Sequence, residues 1–167
     1  MSGGELLASL LLIVRERAEV VLKSILTLIR TVTIPIQPAI TTSKEYFEEV
    51  GVKWMGENFK AQFYGLEVKA TDEAELAVRK LEEASLDALI LTELGDKAEI
   101  SVSQFRAFLA SNPESKEWFI FYLRGKDGKL WAVLAYCRVV DRGWSVNAHR
   151  VDRPHRWGAG DQVVSRN

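Results

Sequence analysis

Apolar residues recur at alternating steps of four and three near the start of the chain, at Leu7, Leu11, Val14, Ala18, Val21, Ile25 and Leu28. This spacing is the seam of a coiled coil or the inner stripe of an amphipathic helix. Leu10, Leu22 and Ile29 widen the stripe, while Arg15, Glu16, Arg17, Glu19 and Lys23 fill the other faces. The pattern predicts one long helix over residues 5–30. A wide stripe with β-branched members suits a trimer or bundle better than a thin two-stranded seam. The alternatives are a helix lying on the core of its own domain and a helix lying on a membrane surface, against which the mixed sign of its charged face speaks. Residues 31–45, TVTIPIQPAITTSKE, carry Pro35 and Pro38, which stop a helix and force extended backbone. They predict a linker, or a strand crossing onto the next unit.

A globular domain is expected over residues 46–167. WMGENFKAQFYGLEVKA mixes aromatic and β-branched residues with glycine and predicts one or two strands. Thr71 to Glu75 predicts a helix start, with Asp72 and Glu75 placed for a capping box, and the helix is expected to run to about Ala84. LDALILTEL fits strand or helix. Ser101 and Gln104 open a second helix by the same capping logic. Phe105, Phe108 and Leu109 face inward, and Asn112-Pro113 ends it. EWFIFYLRGKDGKLWAVLAYCRVVD then predicts a hairpin on its Asp-Gly turn. Arg142-Gly143 turns the chain again into WSVNAHRVD. One strand, two helices and a cluster of strands make an α+β domain.

Composition narrows the function classes. The 167 residues carry 22 Lys and Arg against 23 Asp and Glu, a formal net charge of −1. That balance speaks against a nucleic-acid partner for the domain as a whole. The single cysteine, Cys137, admits neither an intrachain disulfide nor a cysteine metal site, and nothing beside it in sequence would activate a thiol. With only His149 and His155 as histidines, no metal is expected. The start MSGGE lacks the positive region of a signal peptide. The run Leu6 to Val14 falls short of the ~20 residues that span a bilayer, so a membrane partner is not expected. No phosphate loop, dinucleotide fingerprint, zinc-protease helix or nucleophile elbow is present. His149 with Asp152 is the best catalytic pairing on offer and carries little by spacing alone. The chain is not expected to be an enzyme, and no catalytic residue or cofactor is assigned.

The last stretch, WSVNAHRVDRPHRWGAGDQVVSRN, divides into two kinds of position. Trp144, Val146, Ala148, Val151, Trp157, Val163 and Val164 need a core. Ser145, His149, Arg150, Arg153, His155, Arg156, Gly158 and Asp161 do not. The two kinds alternate at first, as in a strand with one wet face. A stiff aromatic and aliphatic frame carrying varied polar groups follows the logic of an antibody paratope.

From Gly143 to Asn167 the sequence resembles the variable region of the variable proteins of diversity-generating retroelements. In that family an asparagine-rich template is copied with errors at adenines. An AAC codon then becomes Ser, His, Asp, Gly, Arg or Tyr, and cannot become Trp, Gln, Lys or Glu. Every polar position named above holds one of the permitted residues. Trp144, Trp157, Gln162 and the final VVSRN stand as the fixed frame. The resemblance covers only about 25 residues, and the substitution pattern discriminates more than the motif does. It implies a C-type-lectin-like fold, with VVSRN as a closing strand against an early strand from residues 54–70. It implies a variable region over about residues 142–161, with Arg142, Ser145, His149, Arg150, Arg153, His155, Arg156, Gly158 and Asp161 contacting a protein or glycan ligand. The domain departs from animal lectins in lacking a disulfide pair and a Glu-Pro-Asn calcium motif, so calcium-dependent sugar binding is not implied. Copies joined through the N-terminal helix as a homo-oligomer would add avidity, and display on a virion or cell surface would suit the role. The alternative reading is a non-diversified structural or assembly protein whose N-terminal helix oligomerises while the tail completes a sheet.

Overall fold

The computed structural model describes residues 4, 5, 9 and 23–167. Gly4, Glu5 and Ser9 are helical. The remaining positions of the N-terminal stripe before Lys23 lie outside the described residues. The predicted helix does not extend to residue 30, because Leu26–Ile34 is a strand, β1. Ile25 and Leu28 continue the heptad spacing only formally. LTLIRTVTI is dense in β-branched residues, and it pairs antiparallel with Ala74–Leu81, β5. The stretch 31–45 is likewise part of the fold rather than a tether. It holds the end of β1, the short strand Ile40–Thr41, β2, and the start of helix α1, Lys44–Glu48.

The chain is α+β and mostly sheet. After α1 come β3 (Val52–Met55), α2 (Glu57–Phe63), β4 (Glu67–Val68) and β5, so the segment expected to be purely strand is two short strands around a helix. The predicted helix over residues 71–84 is in fact β5. Its Ala, Glu, Leu, Arg and Lys favour a helix, but tertiary context overrides them. Leu76, Ala77 and Val78 are fully buried in an interior strand. Thr71 is taken up in a backbone bridge to Gln37 and caps nothing.

LDALILTEL resolves as a helix, α3, Asp87–Leu94, followed by a single 3-10 turn. Helix α4, Val102–Ser111, carries the expected capping box. The Ser101 hydroxyl accepts from the Gln104 N–H, and the Gln104 side chain accepts from the Ser101 N–H. Strands β6 (Phe119–Arg124) and β7 (Leu130–Arg138) form the expected hairpin, with Gly128 at φ 76 in the left-handed region its turn requires. Strands β8 (Gly143–Arg150) and β9 (Gln162–Arg166) complete the chain.

Seven strands form one sheet in the order β1-β5-β9-β6-β7-β8-β3. The pairs β6–β9 and β3–β8 are parallel and the others antiparallel. The closing strand β9 therefore lies between β5 and β6. No strand of the 54–70 region pairs with it, since β3 joins β8 at the far edge and β4 pairs with β2. Helices α1, α2 and α4 cover one face, where Phe47, Phe59, Phe63, Phe105, Phe108, Phe119 and Phe121 interlock. The opposite face packs Leu26, Leu81, Ile90, Leu94, Ile120, Tyr122, Leu134, Trp157 and Val163 into a smaller core beneath α3.

Candidate ligand-binding surface

Strand β8 divides its side chains between the two faces by strict alternation. Trp144, Val146 and Ala148 enter the larger core. Ser145, Asn147 and His149 point to the other side. Beyond Arg150 the chain leaves the sheet, and residues 151–161 lead back to β9. One buried side chain pegs this excursion. Trp157 is almost wholly inside, its N–H and C=O pair with Ser85, and its indole N–H donates to Asp87 Oδ1 at 2.7 Å. Tyr122 donates its hydroxyl to the same oxygen at 2.8 Å. Two hydrogen bonds thus fix one carboxylate oxygen, while Asp87 Oδ2 is buried without a partner. Burial drives the Asp87 carboxyl above its usual range, against the pull of these two donors and of Arg153 and His155. Burial also raises the Tyr122 hydroxyl.

Arg153 lies over the Trp157 ring, its guanidinium carbon 5.1 Å from the centroid, in cation–π geometry. Its Nη1 donates to His149 Nδ1 at 2.9 Å. That contact requires an unprotonated Nδ1. Burial, with Arg153 and His155 nearby, pushes the His149 pKa down to about 4. Both histidine rings meet Trp157 edge to face, at 5.7 Å for His149 and 6.1 Å for His155. Further on, the Gly158 N–H donates to Asp161 Oδ2 at 3.0 Å, and backbone bonds tie Gly160 and Asp161 to Leu81.

The nine expected site residues do not form one group. His155, Arg156 and Gly158 are exposed around the buried Trp157, and His149, Arg153 and Asp161 are partly buried beside it. Arg150 is exposed at the end of β8 and binds Asp152 at 2.7 Å. His149 therefore faces Arg153, and Asp152 is committed elsewhere. Ser145 corrects the expectation of a solvent-facing position. It is fully buried, flanked by Tyr136 on β7 and Trp54 on β3, with its hydroxyl unpaired. Arg142 is exposed but sits at the other end of β8, roughly 25 Å of strand from Arg150.

Sequence reading missed Asp87 and Tyr122, which lie outside the tail. An acidic residue opening the apolar run DALILTEL was the available signal. It also missed an aromatic row, in which Trp118 stacks on Tyr136 at 4.6 Å, on the same face as Ser145. Among the described residues no cluster of three or more His, Cys, Asp or Glu is placed to hold a metal, and no helix is long and apolar enough to cross a membrane. No family model matches the chain, and no characterised protein or solved structure matches it either.

Proposed function

We propose that this chain is a ligand-binding display protein, whose loop 151–161 and adjoining end of β8 carry interchangeable contact residues on a fixed frame. The observation that carries the reading is the contrast between Trp157 and its neighbours in the loop. His155, Arg156 and Gly158 stand in solvent, while the tryptophan among them is anchored by Asp87, Ser85 and the smaller core. A loop so pegged loses little conformational freedom on binding, the condition under which exposed polar groups give useful affinity. The working set is His149, Arg150, Arg153, His155, Arg156, Gly158 and Asp161. Arg156 has no ion-pair partner among the described residues and supplies charge-assisted hydrogen bonds to a protein or glycan bearing acidic groups, with the exposed His155 ring beside it as a further hydrogen-bonding group.

A C-type-lectin-like arrangement is in keeping with the second half of the chain. Strand β5, helices α3 and α4, then β6 to β9 follow in order, and the first and last of these strands run side by side and antiparallel. Diversification by a retroelement remains the source we propose for the tail's residue set. The test is genomic and biochemical. A near-copy of the tail's coding sequence, differing at adenines and beside a reverse transcriptase gene, is expected. Panels of tail variants built on the same frame should differ in what they bind while melting alike. Absence of the copy together with indifference of binding to Arg156 and His155 would remove the proposal.

A further inference from the structure

The reversal between β7 and β8 lies apart from that loop and has a chemistry of its own. Val139 and Val140 stand at its tip, 94% and 87% exposed. The turn that presents them is closed. Arg142 N–H donates to Arg138 O at 3.0 Å, and Arg138 Nε meets Asp141 Oδ2 at 3.3 Å. Arg142 itself sits at φ 51, a left-handed conformation costly for a residue with a Cβ. The two isopropyl groups are thus held outward on an ordered loop, and whatever receives them need not order it first.

A second tier lies just behind the valines. Arg142 is exposed and has no ion pair among the described residues. Lys53 runs its stem along Gly143, where an added Cβ would sit 2.4 Å from Lys53 Cγ, and it too has no ion pair among those residues. Trp54, 46% exposed, is next to it on the edge strand β3. The nearby carboxylates are mostly committed. Asp141 holds Arg138, while Glu48 and Glu49 at the end of α1 hold Lys44 and Arg106. Glu114 lies close to Cys137, two residues back from the tip.

Moving inward from the tip, apolar groups come first, then indole and uncompensated cations. That is the order of depth at a membrane–water interface. Protein-binding hot spots place Trp, Tyr and Arg anchors at a desolvated centre, with valine under-represented, whereas here the outermost groups are the two valines and the indole and guanidinium stand behind them. We propose that the β7–β8 turn is a peripheral membrane contact. Val139 and Val140 enter the acyl boundary of an anionic leaflet, and Arg142, Lys53 and Trp54 sit at the level of the head groups.

Co-sedimentation of the full chain with vesicles tests this, using phosphatidylcholine alone and phosphatidylcholine mixed with phosphatidylserine. The protein is expected to pellet with the mixed vesicles in preference, and less so as salt rises. Val139→Ser with Val140→Ser should lower the partition about tenfold. Arg142→Gln should lower it about fivefold. Near-ultraviolet circular dichroism should show both variants folded, since the side chains changed are at the surface. Pelleting with neither vesicle overturns the proposal, as does equal pelleting with both, or binding that survives the double serine variant. A tip needed to capture a protein but indifferent to lipid falls under the first of these. None of the substitutions touches loop 151–161, so this proposal and the display reading fail separately.

Discussion

Trp157 and Asp87, 70 positions apart in the chain, are joined by a 2.7 Å hydrogen bond from the indole N–H to Oδ1. The bond ties the loop before β9 to the first turn of α3, and it does so inside a core where water cannot substitute. Asp87→Ala leaves the Trp157 N–H and the Tyr122 O–H without their acceptor, and should cost about 2–4 kcal/mol. Trp157→Phe keeps most of the ring volume and should cost less, about 1–2 kcal/mol. Trp157→Ala opens a cavity as well and should cost about 3–5 kcal/mol. Urea denaturation of the three variants checks the ranking.

His149 gives stability a specific pH dependence. Its folded pKa, about 4, lies below its ordinary value of 6.5, so the unfolded chain takes up a proton first as pH falls. Its contribution is therefore complete above pH 6.5, declines as pH drops toward 4, and levels off below that. The full difference is at most about 3 kcal/mol, and solvent reaching the partly exposed ring reduces it to about half. Asp87, with its pKa raised, works in the opposite sense, losing stability as pH rises through its folded value. Comparing His149→Asn with the parent by denaturant titration at intervals over this range isolates the histidine. Parallel curves would show that His149 is not held neutral.

Substitution of the tail should separate by burial rather than by position along the sequence. Alanine at Arg150, His155, Arg156 or Gly158 should shift stability by less than about 0.5 kcal/mol. Ser145→Ala should be neutral or slightly stabilising, because the buried hydroxyl has no partner to lose. Ser145→Arg, a permitted exchange if the position were truly variable, should cost well over 3 kcal/mol by placing an unpaired cation in a closed site. Thermal melts of the six variants decide.

Gly143 sets how closely the tip's base approaches β3. A Cβ there would lie 2.5 Å from the carbonyl oxygen of Gly51, which belongs to the backbone and accepts the Trp144 N–H. Gly143→Ala should therefore cost about 2 kcal/mol or more, against little for Gly158→Ala, whose nearest neighbour is a flexible carboxylate at 3.7 Å.

Elements whose signals are local were legible in the sequence. The α4 capping box, the β6–β7 turn and the core-facing set Trp144, Val146 and Ala148 of β8 each rest on a few adjacent residues, and each is present, whereas the opposite face of β8 is not the wet one expected. Elements decided by distant partners were not. AELAVRKL favours a helix taken alone and becomes a strand because β1 and β9 flank it. LTLIRTVTI continues a heptad by spacing but pairs with β5. The candidate surface divides in the same way. Exposure at His155, Arg156 and Gly158 follows from polarity, whereas the burial of Ser145 is imposed by Tyr136 and Trp54 on neighbouring strands. Val139 and Val140 read as the end of a strand, and only the closure of the turn at Arg138 turns them outward.

The position of β9 between β5 and β6 has a consequence for biosynthesis. Among the described residues, strands β1 and β5 on one side, and β6, β7, β8 and β3 on the other, are joined edge to edge only through residues 162–166. A nascent chain emerging from the ribosome can assemble each half as a separate set of paired strands, but both halves keep an open edge until that stretch leaves the exit tunnel. Premature termination upstream of it should yield two sticky half-sheets rather than a trimmed version of the folded protein.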